Sequence, residues 1–193
     1  MIIIDSIDDN IILSTETTTA KRKINKKNSQ ASMLVSTIQY LLNSNKLTYH
    51  DINKIILFIN PAQITSTRIA LSAALGMQLA IDSISIYYIT LLEVIAYKMY
   101  HDILISPQNN IDIVINYGMH YYAQTFSYLS NFETDISHYK DKPPLNTNNI
   151  IVGNNELCDI IFSHYQADNL IEIVQYKLRN QHKFQNAEDL CNF

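Results

Sequence analysis

The sequence predicts an α/β protein of two lobes, each a mixed sheet flanked by helices. Three observations predict it. Short strand-like segments separated by polar turns open each half of the chain. The run 55–59 is continuous and β-branched, the composition of a strand covered on both faces, and 84–88 reads as another buried strand. Between and after these runs, apolar residues recur at helical spacing, so strands and helices alternate. At 193 residues and 47% hydrophobic, the chain has enough apolar surface for one sizeable core or two small ones.

The elements follow in order. Ile2, Ile3 and Ile4 lead into Asp5; a polar turn at Asp8, Asp9 and Asn10 precedes Ile11, Ile12 and Leu13; the threonine-rich run 15–19 supplies a third strand. The basic residues Lys21, Arg22, Lys23, Lys26 and Lys27 then form a solvated strand end and loop. Asn28 or Ser29 caps a helix over 28–45, with Leu34, Ile38, Leu41 and Leu42 on one face. After the buried strand 55–59, Pro61 opens a loop into a helix over 65–81. Strand 84–88 and a helix over 91–100, with Ile95 and Met99 inward, close the first lobe, residues 1–105. The second lobe, 106–193, is a shortened copy. Its strands lie at 111–115, 121–129 and 132–139, the first two joined by a tight turn near Gly118. A loop over 140–149, a strand at 150–152 and helices over 156–164 and 168–182 complete it.

Composition removes several functions. Eighteen acids against 14 bases give a net charge of -4, so no broad cationic surface is available for direct binding of nucleic acid. Cys158 and Cys191 have no metal-ligand spacing, which fits a reducing cytoplasm, and no membrane span or signal peptide is expected. The histidines at 50, 101, 120, 138, 164 and 182 include no helical i, i+4 pair. With 3 glycines there is neither a Walker loop nor a dinucleotide fingerprint nor a nucleophile elbow. Asp5, with Asp8 and Asp9 nearby, stands where ribonuclease-H-like folds hold an essential acid. The alternative is a carboxylate that caps its own turn.

The positive signal lies in two helices without charge. No Asp, Glu, Lys or Arg occurs over 28–45 or 69–81, whereas a water-facing helix surface ordinarily carries charge. Met33, Ser36, Thr37 and Tyr40 lie away from the Leu34 stripe, and Ile69, Ala73, Gly76 and Ala80 form a ridge of small residues. Such surfaces have the composition of an interface, covered either by the second lobe or by another protein. Tyr121 and Tyr122 are strand-packing residues in a chain with 13 tyrosines.

At these residues the sequence resembles the bacterial TsaB (YeaZ) family. The opening Ile2-Ile3-Ile4-Asp5-Ser6 matches the family's first strand; Leu34, Val35, Ile38, Leu41 and Leu42 follow its first helix; Asp51-Ile52-Asn53 follows the turn before its next strand. The family's Gly-Pro-Gly-Ser-Phe-Thr-Gly-x-Arg-Ile-Gly loop is matched by Asn60-Pro61-Ala62-Gln63-Ile64-Thr65-Ser66-Thr67-Arg68-Ile69-Ala70. Pro61, Thr65, Arg68 and Ile69 are retained and every glycine is replaced. The resemblance covers about residues 1–100. Beyond that, the segment 116–123 and the helix start at 167–170 follow the family loosely.

The resemblance implies an actin-like, ribonuclease-H-like (ASKHA) fold and a non-catalytic scaffold. The family pairs with TsaD, which makes threonylcarbamoyladenosine in ANN-decoding transfer RNAs, and the ATPase TsaE joins the pair. TsaD's His-x-x-x-His metal motif is absent from this sequence. On this footing Met33, Ser36, Thr37, Tyr40, Arg68, Ile69, Ser72, Ala73, Gly76 and Ala80 bind the partner, and Asp5 and Thr65 are nucleotide-proximal. No cofactor is expected of the chain itself, ATP or ADP entering only at the interface with the partner. Alone, the chain is expected to pair with its own copy through the same helices; transfer RNA is contacted indirectly and membranes not at all. The competing expectation is a nucleotide-binding or peptidase-like enzyme of the same fold.

Overall fold

The computed structural model describes residues 1–7, 10–14, 19–23, 30–102, 105–127, 132–161, 167–179 and 185–186. Asp8, Asp9, Lys26, Lys27, Asn28, Ser29, His164, His182 and Cys191, together with 15–18 of the expected third strand, lie outside them. The chain forms two compact units.

The first unit runs from Met1 to Thr90 and regains the chain at its last helix and strand. Strands β1 (Ile2–Asp5), β2 (Asn10–Ser14) and β3 (Thr19–Lys23) form an antiparallel meander. Helix α1 (Gln30–Ser44) leads to β4 (Lys54–Ile59), which pairs parallel with β1; α2 (Ile64–Ala80) leads to β5 (Ser85–Thr90), parallel with β4. The run 55–59 is a central strand, as expected: Ile55, Ile56, Leu57 and Phe58 are fully buried on both faces of the sheet, whereas in β5 Ser85 and Tyr87 are half-buried. One face packs Ile2, Ile4, Ile11, Leu13, Ile55 and Leu57 against Leu34, Ile38 and Leu42 of α1 and Ala70, Leu71 and Ala74 of α2. Later helix α4 (Ala167–Arg179) buries Leu170, Ile173 and Val174, and β12 (Gln185–Asn186) pairs antiparallel with β5.

The second unit begins at Leu91, not at 106. Helix α3 (Leu91–His101) belongs to it because Leu92, Ile95, Ala96 and Met99 pack on Ile111, Ile113, Ile115, Phe126 and Val152 of the second sheet. The return of α4 to the first unit is a further departure from the expected 1–105 and 106–193 division. Strands β6 (Asn110–Tyr117) and β7 (His120–Ser127) form a hairpin whose turn places Gly118 at φ 64°. Two short strands, β8 (Phe132–Glu133) and β9 (Ser137–Tyr139), replace the single strand expected there, and both pair with β7. Strand β10 (Ile150–Gly153) runs parallel with β6, and β11 (Ile160–Ile161) parallel with β10.

The two sheets share one plan. In the first, the order β3-β2-β1-β4-β5 places an antiparallel meander beside parallel strands; in the second, β8 and β9, then β7-β6-β10-β11, repeat it. The duplication expected from the sequence is therefore present in the topology, and the order is that of ribonuclease-H-like folds. Residues 156–161 depart from expectation, forming a turn and β11 instead of a helix.

The second unit is fastened by Tyr100. Its buried hydroxyl donates to the carbonyl of Asn109 at 2.8 Å and lies 3.2 Å from that of Phe126, tying α3 to the open end of the hairpin, where β6 begins and β7 ends. Tyr100→Phe is expected to lower stability by about 1 kcal/mol, read from urea unfolding. An unchanged midpoint would show that water replaces the hydroxyl there.

Candidate functional site

The site is the outer surface of α1 and α2, which lie side by side on the first sheet. Within the helix bounds, α1 carries no charged residue and α2 carries Arg68 alone. Their burial follows the helical period. In α1, Leu34, Thr37, Ile38, Leu41 and Leu42 face the sheet, while Val35, Ser36 and Tyr40 face out. In α2, Ala70, Leu71 and Ala74 are buried, and Ile64, Thr65, Arg68, Ser72, Gly76, Leu79 and Ala80 face out.

A groove of about 510 Å³ opens between the helices, lined by Leu34, Val35, Thr65, Arg68, Ile69, Ser72 and Ala73. Four large apolar side chains of the two helices are exposed, Val35 at 51%, Tyr40 at 55%, Ile64 at 48% and Leu79 at 84%, and of these Val35 lines the groove. The Tyr40 ring lies beneath the Arg22 guanidinium, 3.6 Å from its carbon to the ring centroid, a cation–π contact from β3 that props the ring at the edge of this face. Lys21, Arg22 and Lys23 thus form the exposed end of a sheet-edge strand, as expected. Charge on such a strand guards its unpaired edge.

Of the residues expected here, Arg68, Ile69, Ser72 and Ala73 line the groove with Thr65, and Ser36, Tyr40, Gly76 and Ala80 are exposed on the same helices. Met33, Ile69 and Ala73 are half-buried and also pack against the core. Thr37 is the correction: at 4% exposure it faces the sheet. Its spacing of i+3 from Leu34 places it on the buried stripe. Val35, Ile64 and Leu79 were missed. Val35 lies one hundred degrees from Leu34 but only about twenty from Leu42 around the helix, so the period alone gave no sign that it faces out.

Asp5 and the loop before α2 are geometrically closed. The buried Asp5 carboxylate accepts the Ile7 N–H at 3.0 Å and the Asn10 side-chain amide at 2.9 Å, bracing the turn from β1 to β2. Ser6 donates through both its N–H and its hydroxyl to the Phe58 carbonyl. This is the turn-capping alternative. Asp5→Ala is expected to cost about 2 kcal/mol, because it leaves the buried Asn10 amide without that acceptor. Equilibrium unfolding measures it, and a loss below about 0.5 kcal/mol would remove the bracing role. In the loop, Asn60 accepts the Ala62 N–H through its side chain at 3.0 Å and the Gln63 N–H through its carbonyl at 2.8 Å. Of the N–H groups in the segment aligned with the family's glycine motif, those of Ala62 and Gln63 are engaged within the loop. Elsewhere, burial, the largest effect, pushes the Cys158 thiol up and holds it in the poorly nucleophilic protonated form. Among the described residues there is no group of three or more His, Cys, Asp or Glu placed to hold a metal, and no helix long and apolar enough to cross a membrane.

The two-sheet topology and its helices define an α/β protein of the actin-like, ribonuclease-H-like class. Among solved structures, the chain is similar to two from Pseudomonas aeruginosa. One is an uncharacterized protein with similarity to peptidase YEAZ, at a TM-score of 0.67 and 12% identity over 97% of this chain and 94% of that one. The other is YeaZ, at 0.65 and 13% identity over 97% and 95%. The likeness is one of fold and spans both units. No family model matches the sequence, and no curated protein matches it.

Proposed function

We propose that this chain is a cytoplasmic, non-catalytic scaffold that binds and activates a TsaD-type threonylcarbamoyltransferase through the outer face of α1 and α2. The partner performs the transfer to adenosine in transfer RNA, and a TsaE-type ATPase joins the pair. The observation that carries this reading is the face itself: two adjacent helices with one charge between them, four protruding apolar side chains and an open groove. Water-facing helices are otherwise charged, and an apolar surface rimmed by small polar residues is the form an interface takes. The YeaZ-like fold supports the choice of partner class. ATP or ADP enters only at the shared interface; the engagement of the Ala62 and Gln63 N–H groups within the loop before α2 supports this. Transfer RNA is reached through the partner, and an excess of chain is expected to self-associate through the same face.

The test is co-purification with the TsaD of the same organism, followed by threonylcarbamoylation with and without this chain. A complex and activity that depends on it support the scaffold; absence of both at micromolar concentrations defeats it.

A further inference from the structure

The second unit carries a side-chain pair that the α1–α2 face does not involve. His120 opens β7 and His138 lies in β9, eighteen residues later, and the antiparallel pairing of Tyr122 with His138 draws them together. His138 Nε2 is 3.0 Å from His120 Nδ1, and the two rings meet at 44° with centroids 4.9 Å apart. The Tyr122 ring stacks on His138 at 24° and 5.1 Å, restricting the ring's rotation. Both histidines are reachable: His138 is exposed and His120 half-exposed.

We propose that His120 and His138 form an open two-imidazole site for a divalent transition-metal ion that favours right-angled ligands, Ni²⁺ or Cu²⁺. Imidazole–metal bonds are about 2.0–2.1 Å long. Two nitrogens 3.0 Å apart and each at that distance from one ion subtend nearly a right angle, the cis arrangement of square-planar and octahedral ions and tighter than the tetrahedral angle of structural zinc. Without metal, one facing nitrogen donates its proton to the other. When the ion enters, that proton moves through water to the donor ring's remote nitrogen; both facing lone pairs then bind metal, and both rings stay neutral. Tyr122 holds the His138 plane, as an outer-shell group orients a ligand. Water fills the remaining positions. The bound ion would link β9 to the β7 strand at the tip of the β6–β7 hairpin.

Calorimetric titration of the full chain with Ni²⁺ at neutral pH tests this, with His120→Gln, His138→Gln and, as a surface control, His50→Gln. The expected result is one Ni²⁺ per chain, bound at least about tenfold more weakly by either of the first two variants and unchanged in the control. Electron paramagnetic resonance of the Cu²⁺ complex should show two coordinated ring nitrogens in the wild type and one in each of the two variants. Equal Ni²⁺ binding by wild type and both variants overturns the proposal. So does a wild-type Cu²⁺ spectrum with fewer than two ring nitrogens, however the variants fold.

Discussion

Gly76→Glu is expected to abolish partner binding while leaving the isolated chain as stable as before or more so. Gly76 is exposed on the outer face of α2, and a Cβ built there meets nothing within 4 Å. A mid-helix glycine costs about 1 kcal/mol relative to a good helix former, so the substitution removes a local penalty. Neither of its neighbours one turn along the helix, Ser72 and Ala80, offers a cation. In a complex that covers this face, the new carboxylate is buried unpaired, a loss of about 3–5 kcal/mol, or roughly 100- to 1,000-fold and more in Kd. Gel filtration and calorimetry against the partner measure the affinity, and thermal unfolding checks the chain. Undiminished binding by a well-folded variant would place the interface elsewhere and remove the central argument for the scaffold. Ala73→Glu acts in the same direction, but Ala73 also packs on the core, so its effect mixes folding with association.

Gly153→Ala is expected to be the most damaging single methyl group in the chain's second unit. Gly153 is buried in β10 opposite Val114 of β6, and a Cβ there would lie 1.8 Å from the Val114 carbonyl oxygen and 2.8 Å from Cys158 Sγ. The thiol can turn aside. The carbonyl cannot, because β6 is held between β7 and β10. Overpacking against a fixed backbone is expected to cost about 3 kcal/mol, the upper end of the usual range, equivalent to a fall in melting temperature of roughly 6–12 °C for a chain of this size. Gly118→Ala is the contrasting case. Its φ of 64° penalises a side chain, yet no atom lies within 4 Å, so about 1 kcal/mol is expected. Differential scanning calorimetry separates the two; equal losses would mean that β10 shifts to admit the methyl.

How much was legible in the sequence depended on whether a signal was local. The central strand 55–59 declared itself through an unbroken apolar run and α1 through the 3.6-residue period of Leu34, Ile38 and Leu41, whereas the buried set of α2, Ala70, Leu71 and Ala74, was not marked by period. The segment 156–161 misled because Leu157, Ile160 and Ile161 have helical spacing. Side chains decide otherwise there: Asn155 accepts the Leu157 N–H at 3.0 Å, and Asp159 accepts the Ile151 N–H at 2.8 Å. Asn and Asp that satisfy backbone donors in this way compete with the helix, and pairing with β10 completes the extended form. Of the third strand expected over 15–19, residues 15–18 lie outside the described residues, and the cross-strand register with β2 places β3 at 19–23, charged residues included.

The sequence alone determined which segments form the buried strands, which helices lack charge, that the chain repeats a meander followed by parallel strands, and that glycine-dependent phosphate binding had lost its residues. Each is a property of composition or period along the chain. The tertiary structure alone decided that Thr37 turns inward while Val35, Ile64 and Leu79 turn out, that α3 joins the second sheet and α4 returns to the first unit, and that His120 meets His138. The physical reason is common to all of these: a period gives the relative phase of residues on one element, but burial and pairing depend on what another element brings up against it, and that contact is non-local.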